Sequence, residues 1–413
     1  VRIVQPLRVR AIALLWGGLA TSAVGDQLYN VAIAWIAVGV LGAAAGYLSA
    51  AQALIATATA LLAGAWADAR DDRRLMIAAD LVRAGVLAAL VALWLATGRV
   101  APGGLVAAVF VLAAGQALFR PALQAVLPRI EADRALLPAT NALLDSTERL
   151  ARLVGPGLIA LLAAILPPMH FLTLNAVTFA VSALAVSRIR GLRPRGPVVR
   201  GGVIETARQG FQAMRQDRLL RYMLSATGIH NGAWYTSIFL GVPLLLRSGD
   251  ASGGIGSYGL VIASYGIGNV AANLAVSSRG LPGQPGRLIF AGQMVNGTGI
   301  VLLALATLLS GWAVLPALCA AAAISGAGGP MGDIPRAVLV QTLLPPGRVA
   351  GAVRAWMVVN NLGTLVAMSL APLLVAAAGA RACVAVCGLA IVSVGAIGLL
   401  RLAGHAPILQ AAE

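Results

Sequence analysis

The feature that most constrains this chain is a succession of long apolar runs separated by short gaps of glycine, proline and arginine. A hydrocarbon core about 30 Å thick is crossed by about 20 residues of α-helix, and about twelve runs reach that length. They cover residues 11–40, 44–67, 74–97, 103–127, 137–165 and 168–188, then 218–246, 254–278, 285–309, 312–343, 349–378 and 380–402. With 59% apolar and 11% charged residues and a mean hydropathy of +0.88, a soluble fold is excluded. Glycine and proline inside the runs are compatible with helix, because neighbouring membrane helices satisfy the freed backbone groups. Pro121, Pro156, Pro243, Pro335 and Pro372 are expected kinks. The first run follows Arg2, Arg8 and Arg10, outlasts a signal-peptide core and has no small-residue cleavage signature, so it is expected to remain as a helix. The expected fold class is an all-α membrane protein, twelve transmembrane helices in two six-helix bundles, residues 1–188 and 218–413, joined by a basic cytoplasmic linker at 189–217.

Charge supports this division. Thirty basic residues, every one an arginine, stand against 14 acidic ones, for a net charge of +16. A nucleic-acid binder carries basic stripes on a polar scaffold; here the arginines fall in the gaps between apolar runs, so no nucleic-acid partner is expected. If the N-terminus is cytoplasmic, the inner segments hold Arg70, Arg73, Arg74, Arg129, Arg134, Arg279, Arg287 and Arg348 along with the linker arginines. The outer loops then keep only Arg99, Arg247 and Arg381. This asymmetry predicts a multi-pass protein of the cell (inner) membrane with both termini cytoplasmic. The linker includes a short amphipathic part near Val203 to Met214. Two halves of similar hydropathy are the one-dimensional pattern of a transporter built from repeats.

No enzyme site is found. Cys319, Cys383 and Cys387 lie scattered in apolar stretches, and His170, His230 and His405 occupy separate segments. There is no zinc spacing, phosphate loop or nucleophile elbow, so neither a metal nor a cofactor is expected.

Polar groups within the runs are the candidate site, since a mid-bilayer charge costs about 2.5 to 3.5 kcal/mol on insertion scales. Asp26 lies about fifteen residues, or roughly 22 Å, into the first run, flanked by Gln27, Tyr29 and Asn30. It reads as a carboxylate for a proton or substrate cation, or as a structural group at a kink after Gly25. His230, Asn231, Trp234 and Tyr235 lie at similar depth in the seventh run, and Asn360 and Asn361 in the eleventh. Together these uncharged groups suit a sizeable amphiphile better than a small ion. Asp333 and Arg336, three apart, share a face of a tenth helix expected to break locally across Ser325 to Pro335. Asp145, Glu148, Arg149 and Arg152 form a stripe at the inner end of the fifth run. Arg120 and Arg354, expected to be buried, and Asp80 and Arg83 are candidates to join that stripe.

After the second run stands Gly64-Ala65-Trp66-Ala67-Asp68-Ala69-Arg70-Asp71-Asp72-Arg73-Arg74-Leu75. This resembles the loop signature of the major facilitator superfamily at Gly64, Asp68, Arg73 and Arg74, with Ala69 and Asp72 where a basic residue is usual. Gly25-Asp26-Gln27-Leu28, Phe119-Arg120-Pro121-Ala122, Leu127-Pro128 and Asn141-Ala142-Leu143 extend the resemblance, as do Gly155-Pro156, Leu174-Asn175-Ala176-Val177-Thr178-Phe179, Leu344-Pro345 and Gly347-Arg348-Val349. They narrow it to the branch that holds the enterobactin exporter and macrolide efflux pumps. The resemblance implies the major facilitator fold, two bundles around a central cavity working by alternating access. It also implies an exporter in which efflux of a siderophore, drug or secondary metabolite is coupled to protons, a membrane-lipid setting and a monomer. Asp68, Arg73 and Arg74 would form a conformational latch with Asp145, Glu148, Arg149 and Arg152. Gly155, Pro156 and Gly157 would form the antiporter-type motif, with Ala160 where a further glycine is expected. The sequence leaves open an importer, lipid transporter or facilitator of the same fold, and, in another class, a membrane sensor or scaffold that transports nothing.

Overall fold

The computed structural model of the protein describes residues 2–67, 71–130, 136–189, 203–248, 254–280 and 283–402. The described residues form helices and no strand. The α-helices are α1 (Arg10–Leu41), α2 (Ala45–Ala67), α3 (Asp72–Thr97), α4 (Pro102–Ile130), α5 (Leu137–Leu162) and α6 (Pro168–Ser187). They continue as α7 (Val203–Gln216), α8 (Arg218–Thr236), α9 (Val242–Ser248), α10 (Ile255–Arg279), α11 (Pro285–Ala306), α12 (Val314–Leu343) and α13 (Pro346–Leu402). By length and composition, 8 stretches among the described residues can cross a membrane. Two of these, Arg10–Ala58 with 49 residues and Gly347–Leu402 with 56, exceed twice the length of one crossing. The all-α, multi-pass class therefore holds.

Local chemistry sets the helix ends. Asp71 caps α3 by accepting from the Arg73 amide at 3.1 Å, and Asp217 caps α8 by accepting from the Leu220 amide at 2.8 Å. Proline opens α5, α6 and α11, where its missing N–H removes no helical bond. Gly98, at φ 67°, ends α3 by donating to the Trp94 carbonyl at 2.8 Å. Gly379, at φ 82° and ψ 167°, breaks α13 into two helical pieces.

The chain divides into two compact units, Val1–Leu41 with Leu54–Arg200, and Gly42–Ala53 with Gly201–Glu413. In the first, α1 packs on α5 and α6, and α3 on α4 and α6, around Leu15, Met76, Phe119 and Val186. In the second, α11 packs on α12 and α13, α8 and α7 on α13, and α10 on α12.

One expectation is corrected. The tenth run does not break: α12 continues through Pro330 and Pro335 to Leu343. Its glycines permit close packing instead, since a Cβ on Gly326 would collide with the Tyr265 carbonyl of α10 and one on Gly328 with the Gly292 carbonyl of α11. The seventh run is interrupted, however, by a π-helical turn at Ser237–Gly241, where the Val242 amide donates to the Ser237 carbonyl. Pro243 follows directly, and its lack of an N–H weakens the ladder at this place.

Candidate functional site

Each unit groups polar side chains within its apolar helices. In the first, α1 brings Asp26 against α6 because Gly25 has no side chain: a Cβ there would come within 2.5 Å of the Asn175 Oδ1 and would collide with the Thr178 hydroxyl. Asp26 is partly exposed and feels the charges of Arg83 and Asp80 on α3. Asn175 is fully buried, and its Oδ1 accepts from the Thr178 hydroxyl at 3.0 Å.

Asp80 and Arg83 form an ion pair with side chains 0% and 3% exposed. The guanidinium also donates to Gln116 Oε1 at 2.6 Å, and sits 4.9 Å from the Phe119 ring centre and 4.2 Å from that of Phe179. Room for its stem comes from Gly115, where a Cβ would lie 2.8 Å from Arg83 Cγ. Arg83 stands eleven residues beyond Asp72 at the start of α3, roughly 16 Å along the helix and half a hydrocarbon thickness deep. These two residues, expected among the inner-end charges, belong instead to the Asp26 cluster, because three apart on α3 they face its buried side. Tyr29 is buried and Asn30 partly exposed.

The inner-end charges are exposed. Asp145 pairs with Arg149 at 2.8 Å, and Glu148 with Arg152 at 3.7 Å and with Arg120 at 3.4 Å. The Arg120 side chain is 62% exposed, and Arg354 is exposed too. The expectation that both are buried is corrected: each long stem carries its guanidinium outward from the helix. Gly64 lies within α2, and Asp68 lies outside the described residues. Arg74 pairs with Asp71 at 3.7 Å, while Arg73 donates to the Val186 carbonyl at 3.1 Å and to the Ser187 carbonyl. Arg73 thus places positive charge on the free carbonyls ending α6, where the helix dipole favours it. Asp72, 1% exposed, pairs with Arg129 at 3.0 Å and ties α3 to the end of α4. Among the described residues no ion pair joins Arg73 or Arg74 to the α5 stripe. Gly155 seats α5 on α1, since a Cβ there would collide with the Gln27 side chain, and the Trp16 indole donates to Thr147 at 2.9 Å along the same contact. Pro156 is buried, and a Cβ at Gly157 would meet nothing within 4 Å.

In the second unit, Trp234 is the hub of an aromatic cluster. Its ring centre lies 6.1 Å from Tyr235, 6.0 Å from Phe239 and 5.7 Å from Tyr265 of α10. One turn back on α8, His230 feels the charges of Asp333 and Arg336 on α12. Those two pair at 2.8 Å, and the Arg336 guanidinium stacks 4.3 Å from the Trp356 ring centre of α13. Asn231 and Asn360 do a different job: Asn231 donates to the Asn360 carbonyl at 3.2 Å and to Thr364 at 2.9 Å, and Thr227 donates to Asn360 Oδ1 at 3.0 Å. They clamp α8 to α13. Asn361 is partly exposed.

A family model described as transmembrane secretion effector, MFS_3, matches residues 2–403. The chain belongs to this family. No curated protein matches its sequence. Among solved structures, the nucleoside transporter NupG is similar at 12% identity and TM-score 0.70, covering 94% of this chain and 99% of that one. The POT family transporter PepTSo is similar at 12% identity and TM-score 0.71, covering 95% and 97%. A bacterial homolog of the human lysosomal transporter Spinster, in an inward-facing and unoccupied conformation, is similar at 13% identity and TM-score 0.68, covering 96% and 97%. The chain is therefore a multi-pass membrane transporter of the major facilitator type.

Sequence reasoning missed the residues that enclose these side chains. Gln116, Phe119 and Phe179 surround Arg83, Tyr265 packs on Trp234, and Trp356 lies under the Arg336 guanidinium. A signal was present for the first three: a mid-run arginine requires a carboxylate, a hydrogen-bond acceptor and aromatic faces nearby.

Proposed function

We propose that this secretion effector is a proton-coupled exporter, an antiporter that moves an amphiphilic small molecule such as a siderophore, drug or secondary metabolite out of the cell by alternating access. Asp26 is the carboxylate that takes up and releases the proton. The observation that carries this reading is its setting: a partly exposed carboxylate, deep in an apolar helix, beside Asn175 and a buried Asp80–Arg83 pair. A carboxylate kept at that depth has a continuing energetic cost, which a charge-transfer role accounts for. Protonation of Asp26 would free Arg83 to attract Asp80 alone, and loss of the proton would return a second anion to the same guanidinium. The family description supports outward transport, and the arginine asymmetry supports twelve crossings in two six-helix bundles, with both termini and the 189–217 linker cytoplasmic.

The test uses inverted vesicles and a fluorescent amphiphile. An imposed proton gradient should drive its uptake, and Asp26→Asn should bind the amphiphile yet lose gradient-driven accumulation. Full gradient-driven uptake by a folded Asp26→Asn protein overturns the assignment of Asp26, and uptake indifferent to the gradient overturns proton coupling.

A further inference from the structure

We infer that the Trp234 cluster of the second unit is a recognition subsite for an aromatic substrate bearing hydrogen-bond acceptor oxygens, neutral or anionic, rather than for an organic cation. This rests on the transporter reading and specifies its substrate class. The pairs Trp234–Tyr235, Trp234–Phe239, Trp234–Tyr265 and Tyr235–Phe239 are edge-on or tilted, at interplanar angles of 34° to 83°. Such rings offer faces and edges to another flat ring. Aromatic faces alone would suit a cation equally well, so the polar groups decide the class.

Those polar groups are donors. The indole Nε1–H of Trp234 and that of Trp356 are buried and have no acceptor among the described residues. The Nδ1 of His230, one turn before Trp234, is likewise buried without a partner, and donates in the tautomer that carries its proton there. A native fold pairs nearly all its buried donors, and each one left unmade is costly. Arg336, 29% exposed, spends one nitrogen on Asp333 and holds its plane on Trp356; a guanidinium has further N–H groups to give. Asp333 is already engaged by Arg336, which leaves an incoming cation without an unpaired anion at this place. A planar ligand with carbonyl, phenolic or carboxylate oxygens answers these donors while its ring meets the cluster. Asn269 and Tyr265 face Gly329 of α12, where a Cβ would lie 2.9 Å from Asn269 Nδ2 and 3.8 Å from the Tyr265 hydroxyl, so the glycine makes room for the Asn269 amide beside the rings.

The test is isothermal titration of the purified protein in detergent with two aromatic probes of opposite charge. One is 1-hydroxy-2-naphthoate, which carries acceptor oxygens, and the other is tetraphenylphosphonium, which carries none. The naphthoate should bind and the phosphonium should bind more weakly. Trp234→Phe and Trp356→Phe keep one aromatic ring and remove the N–H together with part of the ring face, so each should weaken naphthoate binding by at least about five- to tenfold, the effect of one hydrogen bond, and weaken phosphonium binding by less. Arg336→Gln should weaken the naphthoate at least as much, and covers the case in which a tryptophan variant fails to fold. Absence of naphthoate binding, preference for the phosphonium, or equal affinity in the folded variants each overturns the inference. Binding is read without a gradient, so its failure is distinct from a failure of proton coupling in the vesicle assay.

Discussion

Removing one member of the Asp80–Arg83 pair should be far more damaging than removing both. The two side chains are 0% and 3% exposed, so Asp80→Leu leaves a guanidinium buried between Phe119 and Phe179, held by hydrogen bonds to Gln116 and the Ala79 carbonyl and by the charge of Asp26 but with no carboxylate in contact. Arg83→Met leaves the carboxylate with no cation on its own helix face. Breaking a buried pair from either side costs about 3–5 kcal/mol, so independent sites would lose about 6–10 kcal/mol together. The double variant instead replaces both charges with apolar groups of similar reach, and such replacements are often neutral. It should therefore recover most of the loss, with a coupling of at least about 2 kcal/mol. The assay is reversible unfolding in mixed dodecyl sulfate micelles, followed by tryptophan fluorescence, for the wild type and the three variants. The folded double variant should also lack gradient-driven transport, because Asp26 has lost its charged neighbours. Additive losses, within about 0.5 kcal/mol, would refute the description of this pair as one buried unit.

Gly115→Ala should cost about 1–3 kcal/mol by overpacking, as its Cβ would lie 2.8 Å from Arg83 Cγ; an equal loss in an Arg83→Ala background, which lacks that stem, would show that the arginine stem is not the obstacle. Asn231→Leu removes the two bonds to α13, and at about 0.6 kcal/mol each in membrane helices it should lower stability by about 1 kcal/mol in the same micelle assay, an unchanged midpoint counting against the clamp. On α7, hydrogen bonds from Arg208, then from Gln209, hold the Glu205 carboxyl below its usual range. That pairing is complete above the ordinary glutamate value and is lost only as pH falls through the lowered one, so a carbon-13 NMR titration of Glu205 should find its midpoint below that of a free glutamate, and an ordinary midpoint would dissolve the pair. Cysteines placed at Arg99 and Arg195 should label from opposite sides of the membrane, and labelling of both from outside whole cells would overturn the cytoplasmic linker.

The fold class was legible because one-dimensional hydropathy records the feature a bilayer enforces, the length of an apolar helix. Helix α12 shows where that record stops. Glycine and proline weaken an isolated ladder, and from the chain alone Ser325 to Pro335 looked broken; only the partners α10 and α11 reveal that Gly326 and Gly328 serve close approach. Asp26 was visible as an isolated mid-run carboxylate, whereas its neighbours come from α3 and α6, and no local pattern links residue 26 to residues 80, 83 and 175. Asn231 and Asn360 looked equivalent to His230 and Trp234 in composition, yet one pair clamps helices and the other faces Asp333 or an aromatic cluster. Hydrogen-bond geometry separates them, and sequence does not carry it. Arg73 was singled out for its place in a loop signature, while the α6 carbonyls it caps lie more than a hundred residues away in sequence.

The π-helical turn at Ser237–Gly241 fixes which residues meet. In a regular α-helix, five residues advance by about 140° beyond a full turn, which would put Trp234 and Phe239 on different sides of the rod. Their rings are 6.0 Å apart because one surplus residue is wound into the turn between them. Everything after Gly241, including Leu245 and Leu246 in the core, is thereby rotated relative to the face on which His230 and Trp234 stand. Deleting a single residue here would leave the helix able to span but would turn its second part by about 100°, carrying Phe239 away from Trp234 while Tyr265 stays. Aromatic contacts and helix length are thus independent quantities in this segment, and a variant that preserves the second can abolish the first.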